Sequence, residues 1–202
     1  MNTPALRVDI WSDFVCPFCF IGALRLEQLA QQRPLDFHWH AFQLRPAGSP
    51  PMDAAKRKMI AEHTPKLTAQ MREEFGLDIA RGPLDIDTRA AHRLFAAAQA
   101  TAQGAAVHDA LFRAYWLHGQ DISDPAVLGA VAAKHGFDGT AAISGSDTAS
   151  EQSVAADVAQ AAQYGFHGVP AIVFGQKYYV SGAQPLAVFA QAAEKAAAES
   201  SL

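Results

Sequence analysis

Cys16 and Cys19 lie three positions apart with Pro17 and Phe18 between them, and they are the only cysteines in 202 residues. The spacing permits a local disulfide but cannot staple distant parts of a fold, so the pair points to chemistry and not to a framework. Just upstream, Ser12 and Asp13 interrupt an apolar strand pattern. From Pro17 to about residue 32, Phe18, Ile21, Leu24 and Leu29 recur at helical spacing until Pro34 ends the run. Cys16 is therefore predicted at a helix start, where free backbone N–H groups and the macrodipole favour an anion and lower a thiol pKa. Such a thiolate attacks a disulfide readily and also leaves readily, which serves exchange in both directions. Pro17 costs little there, because a first-turn residue has no intrahelical N–H bond to lose. Asp13 is read first as the helix N-cap and second as a proton acceptor.

The competing use of a CxxC pair is half of a structural zinc site, which needs two more ligands. The chain has no second CxxC. His38 and His40 share one face of a predicted strand, but the 18 residues separating Cys19 from His38 do not fit zinc-finger spacing. No metal is expected.

The elements that must position the pair follow from periodicity. Leu6 to Trp11 and Leu35 to Leu44 are predicted strands, the second alternating Leu35, Phe37 and Trp39 with Asp36, His38 and His40. After the Pro- and Gly-rich stretch 46–51 come roughly a hundred residues of helix-favouring composition, with helices predicted over 54–75, 88–103, 107–118 and 125–135. Asp124 and Pro125 form a cap and first-turn pair. A helix over 150–164 ends at Gly165. A short strand at 171–174, a turn at Gly175 and Gln176 and a strand at 177–180 follow, and Ser181 is read as the cap of a last helix over 184–199. Removing the helical block leaves βαβ followed by αββα, so the fold class is α/β, a thioredoxin-like fold with a long all-helical insertion. The expected division is residues 1–48 with 151–202 for the thioredoxin-like domain and 49–150 for the insertion.

Composition bounds the partners. A formal net charge of −4 gives no long-range attraction to phosphate backbones or anionic lipid, and no apolar stretch approaches the ~20 residues needed to cross a bilayer. Neither nucleic acid nor membrane is expected as a partner. The first ten residues lack a basic segment followed by an apolar run and a cleavage site, which gives a cytoplasmic expectation.

Gly168, Val169 and Pro170 immediately precede the strand at 171, a position where a proline can carry a cis bond as a built-in feature. Taken alone it reads as an ordinary trans loop proline. Together, SDFVCPFCFIG at 12–22, GVPAIVFG at 168–175 and YYVSGAQP at 178–185 resemble, in order, three segments of the DsbA-like thioredoxin-fold oxidoreductases, and more narrowly their FrnE-type branch. The likeness spans nearly the whole chain.

The resemblance implies that Cys16 is the exposed nucleophile and Cys19 the buried resolving cysteine. It also implies that Val169-Pro170 is a cis-proline loop packed on the disulfide, with the Val169 backbone pairing with an extended substrate. Pro17 and Phe18 would line the substrate side, and Phe18 would tune the oxidising strength. No cofactor is implied beyond the redox-active disulfide, with glutathione as an optional co-substrate. The partners are protein thiols or disulfides, or glutathione, and the oligomeric state stays open, a homodimer included. Kappa-class glutathione transferases and 2-hydroxychromene-2-carboxylate isomerases are similar in topology but generally carry serine where this chain has Cys16. A hydroxyl cannot form a mixed disulfide, so two retained cysteines favour redox work. A glutathione-dependent isomerase or transferase and a non-enzymatic thiol-dependent holdase are the alternatives. His167 is a candidate modulator that would stabilise the Cys16 thiolate if it faced the pair. Arg45 is a candidate contact to an acidic substrate group. Trp11, Phe14, Phe18 and Phe20 are candidates for an apolar rim, with Phe18 the best placed and core packing the default for the others.

Overall fold

A computed structural model describes residues 5–200; residues 1–4 of the N-terminal stretch read above, and 201–202, lie outside it. The described residues divide into two compact units, one made of those up to Leu44 together with those from Ala156 on, the other of Arg45–Ala155.

The first unit is built on a four-stranded sheet. β1 (Leu6–Ser12) pairs in parallel with β2 (Leu35–Ala41) and antiparallel with β3 (Ala171–Phe174), which pairs antiparallel with β4 (Tyr178–Ser181), so the order is β2-β1-β3-β4. The parallel pair requires a crossover, and α1 (Pro17–Ala30) supplies it. Strand alternation decides the two faces. Leu6, Val8 and Ile10 of β1 point with Ile172 and Phe174 into a core closed by Leu26 and Leu29 of α1 and by Phe189, Ala192, Ala193 and Ala196 of α8 (Leu186–Ser200). The alternate positions of β1 carry Arg7, Asp9 and Trp11. On that face Trp11 and Ala171 pack with Ala161 of α7 (Thr148–Gln163), and Phe42, Phe166, Val169 and Val173 close around them.

An ionic link ties α7 to the sheet. His40 Nδ1 lies 2.8 Å from Asp157 and its Nε2 lies 3.0 Å from Asp9, while the other Asp157 oxygen accepts the Ala41 N–H at 2.9 Å. Burial opposes charge on His40, but hydrogen bonds to Asp157 and Asp9 outweigh it and raise its pKa to about 9. Asp9, which also receives Arg7 at 2.8 and 2.6 Å, is desolvated yet held well below the carboxylate range by His40 and Arg7.

The second unit is helical: α2 (Ala54–Phe75), α3 (Arg89–Gln99), α4 (Gly104–Trp116), α5 (Pro125–Lys134), α6 (Thr140–Ser144) and the start of α7. Asp124 caps α5 by accepting the Ala126 N–H at 2.8 Å. Glu151 receives both Arg89 and Arg93. Burial and the neighbouring His92 hold His108 neutral, with a pKa of about 3.

Five elements depart from the periodicity. α4 runs from Gly104 to Trp116, three residues earlier at its start and two at its end than expected. β2 stops at Ala41, three residues early: the Phe42 N–H donates to the Ser12 carbonyl as the last bond of the parallel ladder, and the Leu44 N–H then goes to the Asp13 side chain instead of to β1. α3 stops at Gln99, where a turn through Thr101 intervenes. α6 is one five-residue piece that periodicity does not register. Ser181 caps nothing: it is the last residue of β4, opposite Ala171, and α8 starts only at Leu186.

The His40 link gives a signed pH dependence. Its folded pKa lies above the usual value near 6.5, so its stabilisation is complete below that pH and is lost as pH rises through 9. Denaturant unfolding should show wild-type protein losing on the order of 1–3 kcal/mol between pH 6.5 and 9.5, and His40→Asn should flatten that slope. An equal slope in both proteins would remove His40 as its cause.

Candidate active site

The CPFC segment folds as its residue types dictate. Cys16 is the N-cap of α1 in extended backbone, its carbonyl accepts the N–H groups of Cys19 at 3.1 Å and Phe20 at 3.2 Å, and Pro17 occupies the first turn. The Cys16 N–H closes a turn onto the Asp13 carbonyl at 3.0 Å. No side chain caps the helix, which corrects the first reading of Asp13: its carboxylate, fully buried, accepts the Leu44 N–H at 2.8 Å instead. The α1 amides are thus left to the sulfur.

Opposite the helix start stands the loop before β3. The Val169–Pro170 bond is cis, and the Cys16 thiol donates to the Val169 carbonyl with Sγ 3.6 Å from the oxygen. Pro170 is buried, its carbonyl accepts the Gly182 N–H at 2.8 Å, and its ring lies against α1 at Gly22, where a Cβ would stand 3.3 Å from Pro170 Cγ. Arg25 of α1 donates to the Ala183 and Gln184 carbonyls at 2.7 and 3.0 Å. The three segments 12–22, 168–175 and 178–185 therefore meet at one place.

Both cysteines are free thiols and both are buried, Cys16 4% and Cys19 1% exposed. The expectation of an openly exposed Cys16 is thereby corrected: its sulfur is occupied by the Val169 carbonyl and by Cys19. What separates the two is electrostatics, not exposure. The Cys19 side chain, then backbone amides at the helix start, lower the Cys16 thiol pKa against burial and against the nearby Asp13 carboxylate, which raises it. Burial first, then the Cys16 sulfur, push the Cys19 thiol well up.

The other candidates separate cleanly. Phe18 is 56% exposed beside Cys16 and Pro17 is half-buried, whereas Trp11, Phe14 and Phe20 are core residues. His167 is exposed and makes no hydrogen bond or ion pair among the described residues. Arg45 is not held for a substrate: its Nε lies 3.0 Å from Asp85 and its Nη2 donates to the Pro50 carbonyl. His38 bonds Asp36 at 2.8 Å and His40 bonds the two aspartates; among the described residues no group of three or more His, Cys, Asp or Glu is arranged to hold a metal ion. Sequence reasoning missed Gly22 and Arg25. Gly22 carried the one available signal, a glycine inside a predicted helix.

Sheet order, the cis loop beside a helix-start CxxC and the all-helical segment between β2 and β3 define the class, a thioredoxin fold with a helical insertion. The family model of the DSBA-like thioredoxin domain matches residues 7–194, and the chain belongs to that family. A probable DsbA oxidoreductase from Streptomyces coelicolor is similar at 29% identity, over 96% of this chain and 91% of its own, with a TM-score of 0.80. A 2-hydroxychromene-2-carboxylate isomerase shares the fold at 22% identity, 96% and 98% coverage and a TM-score of 0.79. The cytosolic disulfide reductase DsbM from Pseudomonas aeruginosa, solved with GSH, shares it at 18% identity, 96% coverage of both chains and a TM-score of 0.66. Among the described residues no helix is long and apolar enough to cross a membrane.

The opposed shifts of the two thiols predict ordered reactivity. Iodoacetamide added to the reduced protein near neutral pH should modify Cys16 first, with Cys19 reacting only as the pH rises or the fold opens; peptide mapping reads the order. Preferential modification of Cys19 would reverse the assignment.

Proposed function

We propose that the protein is a thiol-disulfide oxidoreductase in which Cys16 is the nucleophile and Cys19 the resolving cysteine. The observation that carries this reading is the Cys16 sulfur at the start of α1, with a lowered pKa and against the carbonyl that precedes a cis-proline. In the oxidising direction a substrate thiolate attacks Cys16 Sγ of the disulfide, an S–S bond forms to the substrate, and Cys19 leaves as thiolate. A second substrate thiolate then attacks the substrate sulfur of the mixed disulfide and Cys16 leaves. The substrate loses two electrons and the pair gains them; the reverse sequence reduces a substrate. Cys19, whose thiol pKa is raised, takes up a proton once released.

Val169 has the position to hold an extended substrate. Its carbonyl faces the Cys16 sulfur, and its N–H has no acceptor among the described residues, so both are placed for strand-like pairing with a peptide. Phe18, exposed beside the sulfur, offers an apolar contact to the residue flanking the reacting thiol. Glutathione belongs to this proposal as a co-substrate thiol, supported by the fold-sharing DsbM solved with GSH. No further cofactor is included. A cytoplasmic location is included, supported by cysteine usage limited to one local pair.

Asp13 acts here as a modulator. Its buried carboxylate raises the Cys16 thiol pKa and so destabilises the reduced form, which makes the disulfide a weaker oxidant. Asp13→Asn, whose amide oxygen can still accept the Leu44 N–H, should lower the Cys16 pKa and raise the reduction potential by on the order of 10–30 mV against a glutathione buffer. A fall in potential would contradict this role.

The mechanism itself is tested by trapping. Cys19→Ser should accumulate mixed disulfides with disulfide-bearing substrates on non-reducing gels, since the Cys16 thiolate still attacks the substrate disulfide, one substrate sulfur leaves as thiolate, and no internal thiol releases the product; Cys16→Ser should accumulate few. Equal trapping by both variants, or none by either in the presence of a competent disulfide donor, would overturn it.

A further inference from the structure

The sheet face turned away from α1 and α8 holds a concavity. Arg7, Asp9 and Trp11 share that face by alternation along β1, Val173 and its register partner Tyr179 continue it across β3 and β4, and Tyr164 and Phe166 close it from the loop after α7. The cleft measures about 520 Å³ and is lined by none of Cys16, Cys19, Val169 or Pro170. Its size is that of a small-molecule site, and all its lining lies in the first unit.

Its walls are rings. Phe166 packs edge-on to Trp11 at 5.0 Å and stacks on Tyr179 at 5.0 Å with planes 14° apart; Tyr164 meets both Trp11 and Phe166 edge-on at 5.6 Å. Tyr164 and Tyr179 are 57% and 50% exposed, so two large rings are kept in water at the rim of one cleft. Flat aromatic partners gain most against such walls, through offset and edge-on ring contacts.

Its charges close among themselves. Arg7 grips Asp9 through two bonds, and His40 stands between Asp9 and Asp157, two cations against two carboxylates. A charged ligand would be desolvated there without an unspent counter-ion, which selects against one. Gln160, Gln176 and the hydroxyls of Tyr164 and Tyr179 also line the cleft, and its buried unpaired donor is Trp11. This residue is 2% exposed, it lines the cleft, and its indole Nε1–H has no acceptor among the described residues. An indole N–H can only donate, and buried polar groups in native proteins are nearly always paired.

We propose that this cleft is a binding site for a neutral, planar aromatic compound carrying a ring-attached carbonyl oxygen, which accepts the Trp11 indole N–H while the ring packs against Phe166 and Tyr179. Tyr164, edge-on to Trp11 and more than half exposed, is the ring that turns to admit it. The cleft shares no lining residue with the redox pair or the Val169–Pro170 loop, and the proposal does not rest on the reading given to them.

The test uses the full chain and 1-indanone, a neutral bicyclic aromatic ketone, as the probe. Titration of ¹⁵N-labelled protein should move the Trp11 indole N–H resonance saturably, while those of Trp39 and Trp116 stay in place. Trp11→Phe, which keeps a ring but removes the donor, should weaken binding about tenfold, and Tyr179→Ala should weaken it as well. Cys16→Ser should bind as the wild type does. Cyclohexyl methyl ketone, with the oxygen but no aromatic ring, and benzoate, with the ring but a charge, should each bind at least about tenfold more weakly. A Trp11 resonance that does not move up to the solubility limit of 1-indanone overturns the proposal even if Trp11→Phe fails to fold. Equal affinity for benzoate, or unchanged affinity in a folded Trp11→Phe, overturns it too.

Discussion

The contact between the Cys16 thiol and the Val169 carbonyl joins residues 153 positions apart, and the first unit is arranged around it. A thiol at a helix N-terminus needs no tertiary structure to be acidified, since the α1 amides are supplied locally. A carbonyl facing that sulfur does. It requires β3 beside β1; the Val169–Pro170 bond there is cis, and a Cβ at Gly22 would stand 3.3 Å from Pro170 Cγ, so the ring packs closely on α1 at that glycine. Gly182 and Arg25 then hold the loop from its far side, one through the Pro170 carbonyl and the other through the carbonyls of Ala183 and Gln184.

The two sides of the sheet are divided by chemistry. The face under α1 and α8 is a dry core in which Val8, Ile10, Ile172 and Phe174 are fully shielded, and it sets the position of α1 against the strands. The other face carries Arg7, Asp9, Trp11 and His40, and packs through an ion-linked contact to α7. Buried charges are tolerated there because every one of them has a partner: Asp9 takes Arg7 and His40, and Asp157 takes His40 and the Ala41 amide. Stacking of Trp11 on His40 at 4.4 Å covers the ionic link on one side.

Within the site, the difference between the two cysteines comes from electrostatics at nearly equal burial. Both sulfurs are shielded from solvent, yet one thiol is acidified by its neighbour and the helix amides and the other is raised by desolvation. Asp13 acts against the acidification from a buried position in which the Leu44 amide holds it, so opposing influences meet on a single sulfur.

The amino-acid sequence by itself determined what is local or periodic. The CPFC spacing, its place at a helix start, the order of the strands and of the helices other than α6, the two-faced alternation of β1 and β2 and the Gly165 helix end were all legible, because each depends on residues within a few positions of one another. The three spaced segments carried the resemblance to DsbA-like proteins that the family match upholds. Tertiary structure decided the remainder. Asp13 could not be read as a Leu44 partner, nor Arg45 as an Asp85 partner, because a cap and a free loop cation are what those residue types mean when only neighbours in sequence are considered. The Cys16–Val169 and His40–Asp157 contacts span 153 and 117 positions, and no local pattern encodes which distant carbonyl or carboxylate a side chain will meet. That pairing follows only once sheet order and helix packing have brought the strand ends together.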